Sequence, residues 1–255
     1  MVNATIKIRK MKKVVLITGS AKGLGFETAK QLGKKNFTIL VTARTQEKSD
    51  VTADNLKKLG IDAYGVKLDV NNQEDITKLA HFIEEKFGKL DVLINNAGVQ
   101  LDFPGFMPGN STETVSTDIL LRTFETNFFA PVALTQKLLP LIKKSDEGRI
   151  VNVSSIMGSL ALHSDINSPI YNIKLLAYNS SKTALNQFTL HLASALRDTK
   201  IKVNSAHPGW VKTDLGGAYA PMTIEEGVKT IVDLSMLDEN GISGGFIHLG
   251  AALPW

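Results

Sequence analysis

Val14-Val15-Leu16-Ile17-Thr18-Gly19-Ser20-Ala21-Lys22-Gly23-Leu24-Gly25 is the stretch on which the fold turns. Its first five residues form a continuous apolar run, the pattern of a strand buried on both faces of a parallel sheet. The run breaks at a glycine-rich turn and restarts as a helix near Gly25. Glycines there let backbone N–H groups approach a pyrophosphate, and the helix behind offers its positive N-terminal end. The spacing is Gly-x-x-x-Gly-x-Gly rather than Gly-x-Gly-x-x-Gly, so the turn alone is weak evidence, with a tight strand-to-helix connection as the other reading. Its place directly after the first buried strand favours the phosphate reading.

Outward from this stretch, strands alternate with helices. Residues 37–43 (FTILVTA) read as the second strand and residues 63–68 as a third. Asn71-Asn72-Gln73-Glu74 has the shape of a capping box. Behind it Ile76, Leu79, Ile83 and Phe87 recur at helical spacing up to a stop at Gly88. Residues 92–94 are the fourth strand, ending in Asn95-Asn96-Ala97-Gly98. A long helix is expected over 114–143, disturbed at Pro131, then a fifth strand over 150–153. A helix over 178–196, a strand over 203–206, a helix over 224–237 and a strand over 246–249 complete the pattern. The alternation predicts an α/β fold, a doubly wound parallel sheet of the Rossmann type forming a single domain over 11–255. In such a sheet ligands sit beyond the carboxyl ends of the strands.

A chain of 255 residues, 43% hydrophobic and 21% charged, is globular in composition. The absence of cysteine excludes disulfides and thiolate metal sites, which fits a reducing compartment and a cytoplasmic location. The net charge of +4 owes three positives to Lys7, Arg9 and Lys10. The rest is close to neutral, with no clustered basic face for nucleic acid. Residues 1–10 lack the apolar run of a secretory signal and read as a frayed extension or an upstream start before Met11. No apolar stretch approaches the roughly 18–20 residues that span a bilayer.

The end of the second strand bears on the choice of nicotinamide cofactor. An NAD site wants a carboxylate about 20 residues on, accepting from the ribose 2′-OH. Ala43-Arg44 occupies that place, and residues 37–46 contain no acid. Arg44 offers a charge-assisted grip on a 2′-phosphate that a carboxylate would repel. Lys22 adds a second positive charge from within the turn. Each alone is equally an ordinary surface charge; together, without the acid, they favour NADP(H). Asp69, in Leu68-Asp69-Val70, is placed either to accept from an adenine amino group or to cap the next helix.

Tyr178-Asn179-Ser180-Ser181-Lys182 puts a phenol and an ammonium four residues apart on one helix face. A free phenol, with a pKa of about 10, is a poor acid/base near neutrality. A neighbouring ammonium favours the phenolate and is expected to pull that value down. Tyr64, Tyr171 and Tyr219 have no lysine at this spacing. Ser155, in Asn152-Val153-Ser154-Ser155-Ile156-Met157-Gly158, could hydrogen-bond a developing alkoxide; a serine pair after a strand is equally turn chemistry. Asn127, in Thr126-Asn127-Phe128-Phe129, is an isolated polar residue among aromatics, equally explicable as a buried structural group.

These motifs, with Pro208-Gly209, occur in the order of the short-chain dehydrogenase/reductase family, which the sequence resembles over nearly all of the chain from Met11. The resemblance implies that Tyr178 is the general acid/base, that Ser155 beside Ser154 steadies the substrate oxygen, and that Asn127 supports a water in a proton relay. Lys182 would contact the nicotinamide ribose and lower the tyrosine's pKa. The cofactor would lie against Gly19, Ser20, Lys22, Gly23, Leu24 and Gly25 at one end, and Arg44, Asp69 and Val70 at the adenosine side. Asn96, Ala97 and Gly98 would line its middle, with Pro208, Gly209, Val211 and Thr213 by the nicotinamide carboxamide. Within the family the sequence is most similar to carbonyl reductases. One departure is the 23-position separation of Ser155 and Tyr178. The extra piece, around 162–176, is shorter than the insertion that accompanies a monomeric state in animal carbonyl reductases. A homo-oligomer is therefore left open, and the insert is expected to shape a wall of the substrate pocket.

Gly216-Gly217-Ala218-Tyr219-Ala220-Pro221 reads as a lid with glycine hinges or as a plain surface loop. Trp210, Met157, Leu160 and Phe103 are candidate pocket walls that core packing explains equally well; as walls they imply an apolar or aromatic carbonyl substrate. His163, His191, His207 and His248 do not sit at metal-ligand spacing, so no metal is expected. The expected activity is NADPH-dependent reduction of a ketone or aldehyde. The alternatives are a ketoacyl-acyl-carrier-protein reductase, which would need a basic docking patch, and a non-catalytic NADP-binding regulator.

Overall fold

The computed structural model describes residues 12–103 and 109–255, and the extension expected at 1–10 lies outside them. Strands and helices alternate as β1 (Val14–Ile17), α1 (Gly23–Lys34), β2 (Thr38–Ala43), α2 (Gln46–Lys57), β3 (Ala63–Lys67), α3 (Gln73–Phe87) and β4 (Val92–Asn95). Then come α4 (Thr117–Phe124), a π-helical turn (Glu125–Phe129), α5 (Ala130–Ile142), β5 (Arg149–Val153), α6 (Leu160–Ser164) and α7 (Leu176–Ala195). The described chain ends with β6 (Lys202–Ala206), α8 (Ile224–Gly227), α9 (Lys229–Ser235), β7 (Phe246–His248) and β8 (Ala251–Ala252).

These strands form one sheet in the order β3-β2-β1-β4-β5-β6-β7-β8, parallel except for the β7–β8 pair. The apolar run of β1 explains why the sheet is covered on both sides. Val15 and Ile17 pack with Leu32, Leu56 and Ile231 in one core cluster. Val14 and Leu16 pack with Leu79, Ile83 and Leu138 in the other. Alternate side chains of one strand thus serve two cores, as a doubly wound sheet requires. The order reverses between β1 and β4, which opens a crevice at their carboxyl ends. Among the described residues, no helix is long and apolar enough to cross a membrane.

Three expectations shift in detail. The helix expected over 114–143 is two helices separated by the π turn at Glu125–Phe129. The disturbance expected at Pro131 falls just before it: the π turn runs straight into α5, whose first turn holds Pro131, a residue with no N–H to bond back into the turn. The cap of α3 is Asn72, not Asn71: its Oδ1 accepts from Glu74 N at 2.9 Å and Asp75 N at 3.1 Å, with no reciprocal capping box. The helix expected over 224–237 is likewise split into α8 and α9.

Candidate active site

The glycine turn is built from two sides. Thr18 Oγ1 accepts from Asn96 N and Ala97 N, both at 2.9 Å, and Asn96 Nδ2 donates to Thr18 O at 2.8 Å. The end of β4 thereby holds the turn after β1. At Gly25 a Cβ would fall 2.7 Å from Asn96 Nδ2 and from Gly19 O, so only glycine lets the helix approach this closely. Gly19 itself has φ of 62°, and Gly23 of 57°. The N-cap of α1, Lys22, gives no side-chain acceptor, and the first turn holds no acid. Its leading N–H groups are left for an outside anion, which fits a pyrophosphate. Ser20 differs from the expectation: its hydroxyl donates to Ile17 O at 2.9 Å and accepts from Thr42 N at 2.8 Å, and its own N–H goes to Thr42 O. Fully buried, it shapes the turn and has no side-chain donor left for a ligand.

Beyond β5, Ser155 and Tyr178 meet. The Ser155 hydroxyl is near enough to the Tyr178 phenol to act on its acidity, whereas buried Ser154 Oγ has no partner. Burial pushes the tyrosine up to about 12, with the Ser155 hydroxyl acting in the opposite sense. The lowering expected from Lys182 is not seen: removal of the phenol from water sets the direction. Lys182 Nζ lies 5.7 Å from the Tyr178 ring centroid and donates to Val153 O at 2.9 Å. Burial pulls its own value down to about 8. Asn127 is turned inward by the π turn, a distortion frequent at functional sites. Its side chain accepts from Val99 N at 2.8 Å and donates to Val99 O at 2.8 Å and Ser181 Oγ at 3.0 Å. It ties the β4 loop to α7, and both its amide donor bonds are made within the protein.

Ser155, Tyr178 and Lys182 open onto a cleft of about 390 Å³, which Asn127 does not line. Leu24, Asn96, Gly98, Pro208, Gly209, Val211 and Thr213 border it together with Ser155, Tyr178 and Lys182. The insert supplies Pro169, Ile170 and Ile173, as expected of it. Lys174 stitches the insert to the opposite loop through Lys174 N to Gly109 O at 2.8 Å and Ser111 N to Lys174 O at 2.8 Å. Met157 and Trp210 line the cleft; Phe103 packs against Met157 and Tyr178 instead, and Leu160 is exposed. The loop after Trp210 closes at its base, with Met222 N donating to Trp210 O and Lys212 N to Met222 O. Its tip residue Tyr219 is 93% exposed, and at its start Asp214 contacts Lys22 Nζ.

Arg44 and Asp69 stand at the ends of β2 and β3, away from the cleft floor. Arg44 is exposed and pairs with no carboxylate among the described residues. Asp69 does not cap α3: its Oδ1 accepts from Asn71 N at 3.1 Å. Val70 packs partly buried beside it. No group of three or more metal-ligating side chains exists among the described residues.

One functional residue went unseen in the sequence. Asp102, buried after β4, accepts from Ala177 N and Tyr178 N at 3.0 Å each and from Ser111 Oγ at 2.6 Å. Ser111 Oγ in turn accepts from Leu176 N at 2.8 Å. The N-cap of α7, Leu175, has no side chain to offer, so these two residues satisfy the helix's leading amides. No local spacing reveals this, since the carboxylate and its amides lie 75 and 76 positions apart. Asp102→Ala is expected to destabilise the fold by about 2–4 kcal/mol, through lost charge-assisted bonds at a buried helix start. Urea unfolding checks this, and a loss below about 1 kcal/mol would show that water replaces the carboxylate.

A family model described as short chain dehydrogenase matches residues 13–223. A short-chain dehydrogenase of Penicillium roqueforti is 35% identical, covering 87% of each chain. Carbonyl reductase [NADPH] 1 of Mus musculus is 30% identical, covering 95% of this chain and 98% of the relative. Among solved structures, NADPH-bound carbonyl reductase from chicken fatty liver superposes with a TM-score of 0.82 at 28% identity, over 96% of this chain and 99% of that one. With its glycine turn gripped from β4 and its serine, tyrosine and lysine gathered beyond β5, the chain belongs to the short-chain dehydrogenase family.

Proposed function

We propose that this chain is an NADP(H)-dependent oxidoreductase that reduces a ketone or aldehyde to an alcohol, with Tyr178 as proton donor. The observation that carries the reading is the convergence of Ser155, Tyr178 and Lys182 on a cleft that Leu24, from the glycine turn, also borders. The names of the mouse relative and the chicken structure, both carbonyl reductases with NADPH, support it. When bound, NADPH supplies the hydride that the carbonyl carbon receives. Ser155 and Tyr178 hydrogen-bond the carbonyl oxygen, and Tyr178 Oη gives it a proton as it becomes an alkoxide. A pKa raised to about 12 keeps the phenol protonated at working pH, which suits an acid in the reductive direction. The Lys182 ammonium offsets the phenolate left behind.

Tyr178, Met157, Ile170 and Ile173 share one apolar cluster, so the reading favours an apolar or aromatic carbonyl compound. The test is NADPH oxidation, against NADH, across a panel of ketones and aldehydes. Turnover with NADPH is expected; tight NADPH binding with no turnover on any carbonyl would return the non-catalytic reading. Arg44 and Lys22 carry the cofactor preference. Arg44→Ala is expected to raise KM for NADPH roughly tenfold, the value of one lost charge-assisted contact, and to leave KM for NADH within twofold. Lys22→Ala should do less, because the lysine already contacts Asp214. Equal effects of Arg44→Ala on both cofactors would remove the 2′-phosphate assignment.

A further inference from the structure

His207 follows β6 and is nearly buried, and it borders the cleft between the Ser155 loop and Pro208-Gly209. Its Nδ1 accepts from Ile156 N at 3.2 Å and from Gly209 N at 3.4 Å. A ring nitrogen that accepts two N–H groups carries no proton, so the proton of the neutral imidazole sits on Nε2. Burial, with the neighbouring His248 adding to it, drives the ring's pKa down to about 3, so it stays neutral throughout the working range. Nε2 has no hydrogen-bond partner among the described residues, and it is not one of the sealed, unpartnered polar atoms. It is a fixed N–H donor that is not sealed from outside, on a residue that borders the cleft with Met157, Ile170, Ile173 and Trp210. Ser155 and Tyr178 already serve the oxygen that is reduced.

We propose that His207 is a specificity-determining residue whose Nε2–H takes a second acceptor atom of the substrate, distinct from the carbonyl oxygen being reduced. The cleft would therefore select, among apolar and aromatic carbonyl compounds, those carrying an additional oxygen or ring nitrogen at one defined position. This rests on the carbonyl-reductase reading above. A buried polar donor enforces such selection because a substrate lacking the acceptor leaves it unpaired when water is expelled.

Two substitutions separate this role from the ring's tethering of two loops. His207→Asn keeps an acceptor near the place of Nδ1 and removes the distal donor. His207→Gln puts an amide N–H near the place of Nε2 and gives up the tether. The probes are acetophenone and the 2-, 3- and 4-acetylpyridines, which add one acceptor at three positions around the same ring. In the wild type one isomer should be favoured over acetophenone in kcat/KM. That ratio should fall about tenfold in His207→Asn and be retained within about threefold in His207→Gln. A ratio unchanged in His207→Asn, or lost in both variants alike, overturns the proposal. Should either variant fail to fold, the wild type with NADP⁺ still decides: the nitrogen-15 resonance of His207 Nε2 should move on titration with the favoured isomer and not with acetophenone. An unmoved resonance is equally fatal. Failure of the wild type to reduce any of the four ketones sinks the underlying activity and the proposal with it, whereas turnover without isomer preference sinks the proposal alone.

Discussion

Tyr178→Phe is expected to lower kcat for ketone reduction by about three orders of magnitude while leaving the Kd for NADPH within about twofold. The substitution removes one oxygen from a side chain that is 6% exposed and packed with Met157, Ile170 and Leu175. The ring stays, so the walls of the cleft keep their shape. What disappears is the proton held ready for the developing alkoxide, together with one of its two hydrogen-bond donors. Ser155 Oγ loses its phenol partner but still accepts from Met157 N at 3.2 Å, so the turn behind it persists. Because α7 is held at its start by Asp102 and Ser111, not by the phenol, thermal stability should change little. Stopped-flow reduction and fluorescence titration of NADPH read the two quantities separately. Activity retained above about one tenth would show that another group or water supplies the proton.

Much of this was legible because the fold writes itself locally. The run before Thr18 needed burial on both faces, and alternation of such runs with helices left few sheet orders to consider. The glycines of the turn follow from backbone geometry, and the Tyr178–Lys182 spacing is displayed by the sequence, while the choice of Ser155 beside Ser154 came from the order of motifs shared with the family. The unseen parts share a different cause: each depends on a partner distant in sequence. Asp102 holds the start of α7, His207 bonds the loop after Ser155, and Lys22 meets Asp214 across 192 positions. The π turn at Glu125–Phe129 was likewise hidden: within it the Asn127 side chain bonds Val99 and Ser181, both distant in sequence. The short antiparallel strand β8 has no apolar run of its own. It pairs Ala251 and Ala252 with β7, and beyond it Trp255 stacks on Phe246 with centroids 5.4 Å apart. The tyrosine's acidity was misjudged for a related reason: spacing reveals the nearby ammonium, while the depth of burial that sets the direction emerges only from packing.

Lys182→Met separates charge from structure at the same site, and its two expected effects have opposite senses. Reduction should slow by about two to three orders of magnitude, the usual consequence of removing one electrostatic stabiliser of a developing charge. Yet the melting temperature at pH 7 should not fall. Burial depresses the lysine from its ordinary 10.5 to about 8, which makes its charged form roughly 3 kcal/mol dearer to hold in the fold. Against this, Met leaves Val153 O without its 2.9 Å donor, a loss of about 1–3 kcal/mol. The direction with pH is fixed by the depressed value. Below about pH 8 folded and unfolded chains both hold the proton, so the burial penalty is present in full. From about 8 to 10.5 only the unfolded chain holds it, so the penalty is progressively relieved as pH rises. The stability of the variant relative to the wild type should therefore be greatest below pH 8 and decline above it. Catalysis follows the same charge: wild-type reduction should fall as pH passes about 8 and the ammonium is lost, and the variant, slow throughout, should lack that limb. A marked drop in melting temperature with the limb intact would instead make Lys182 a structural prop for Val153 and assign the pH dependence to another group.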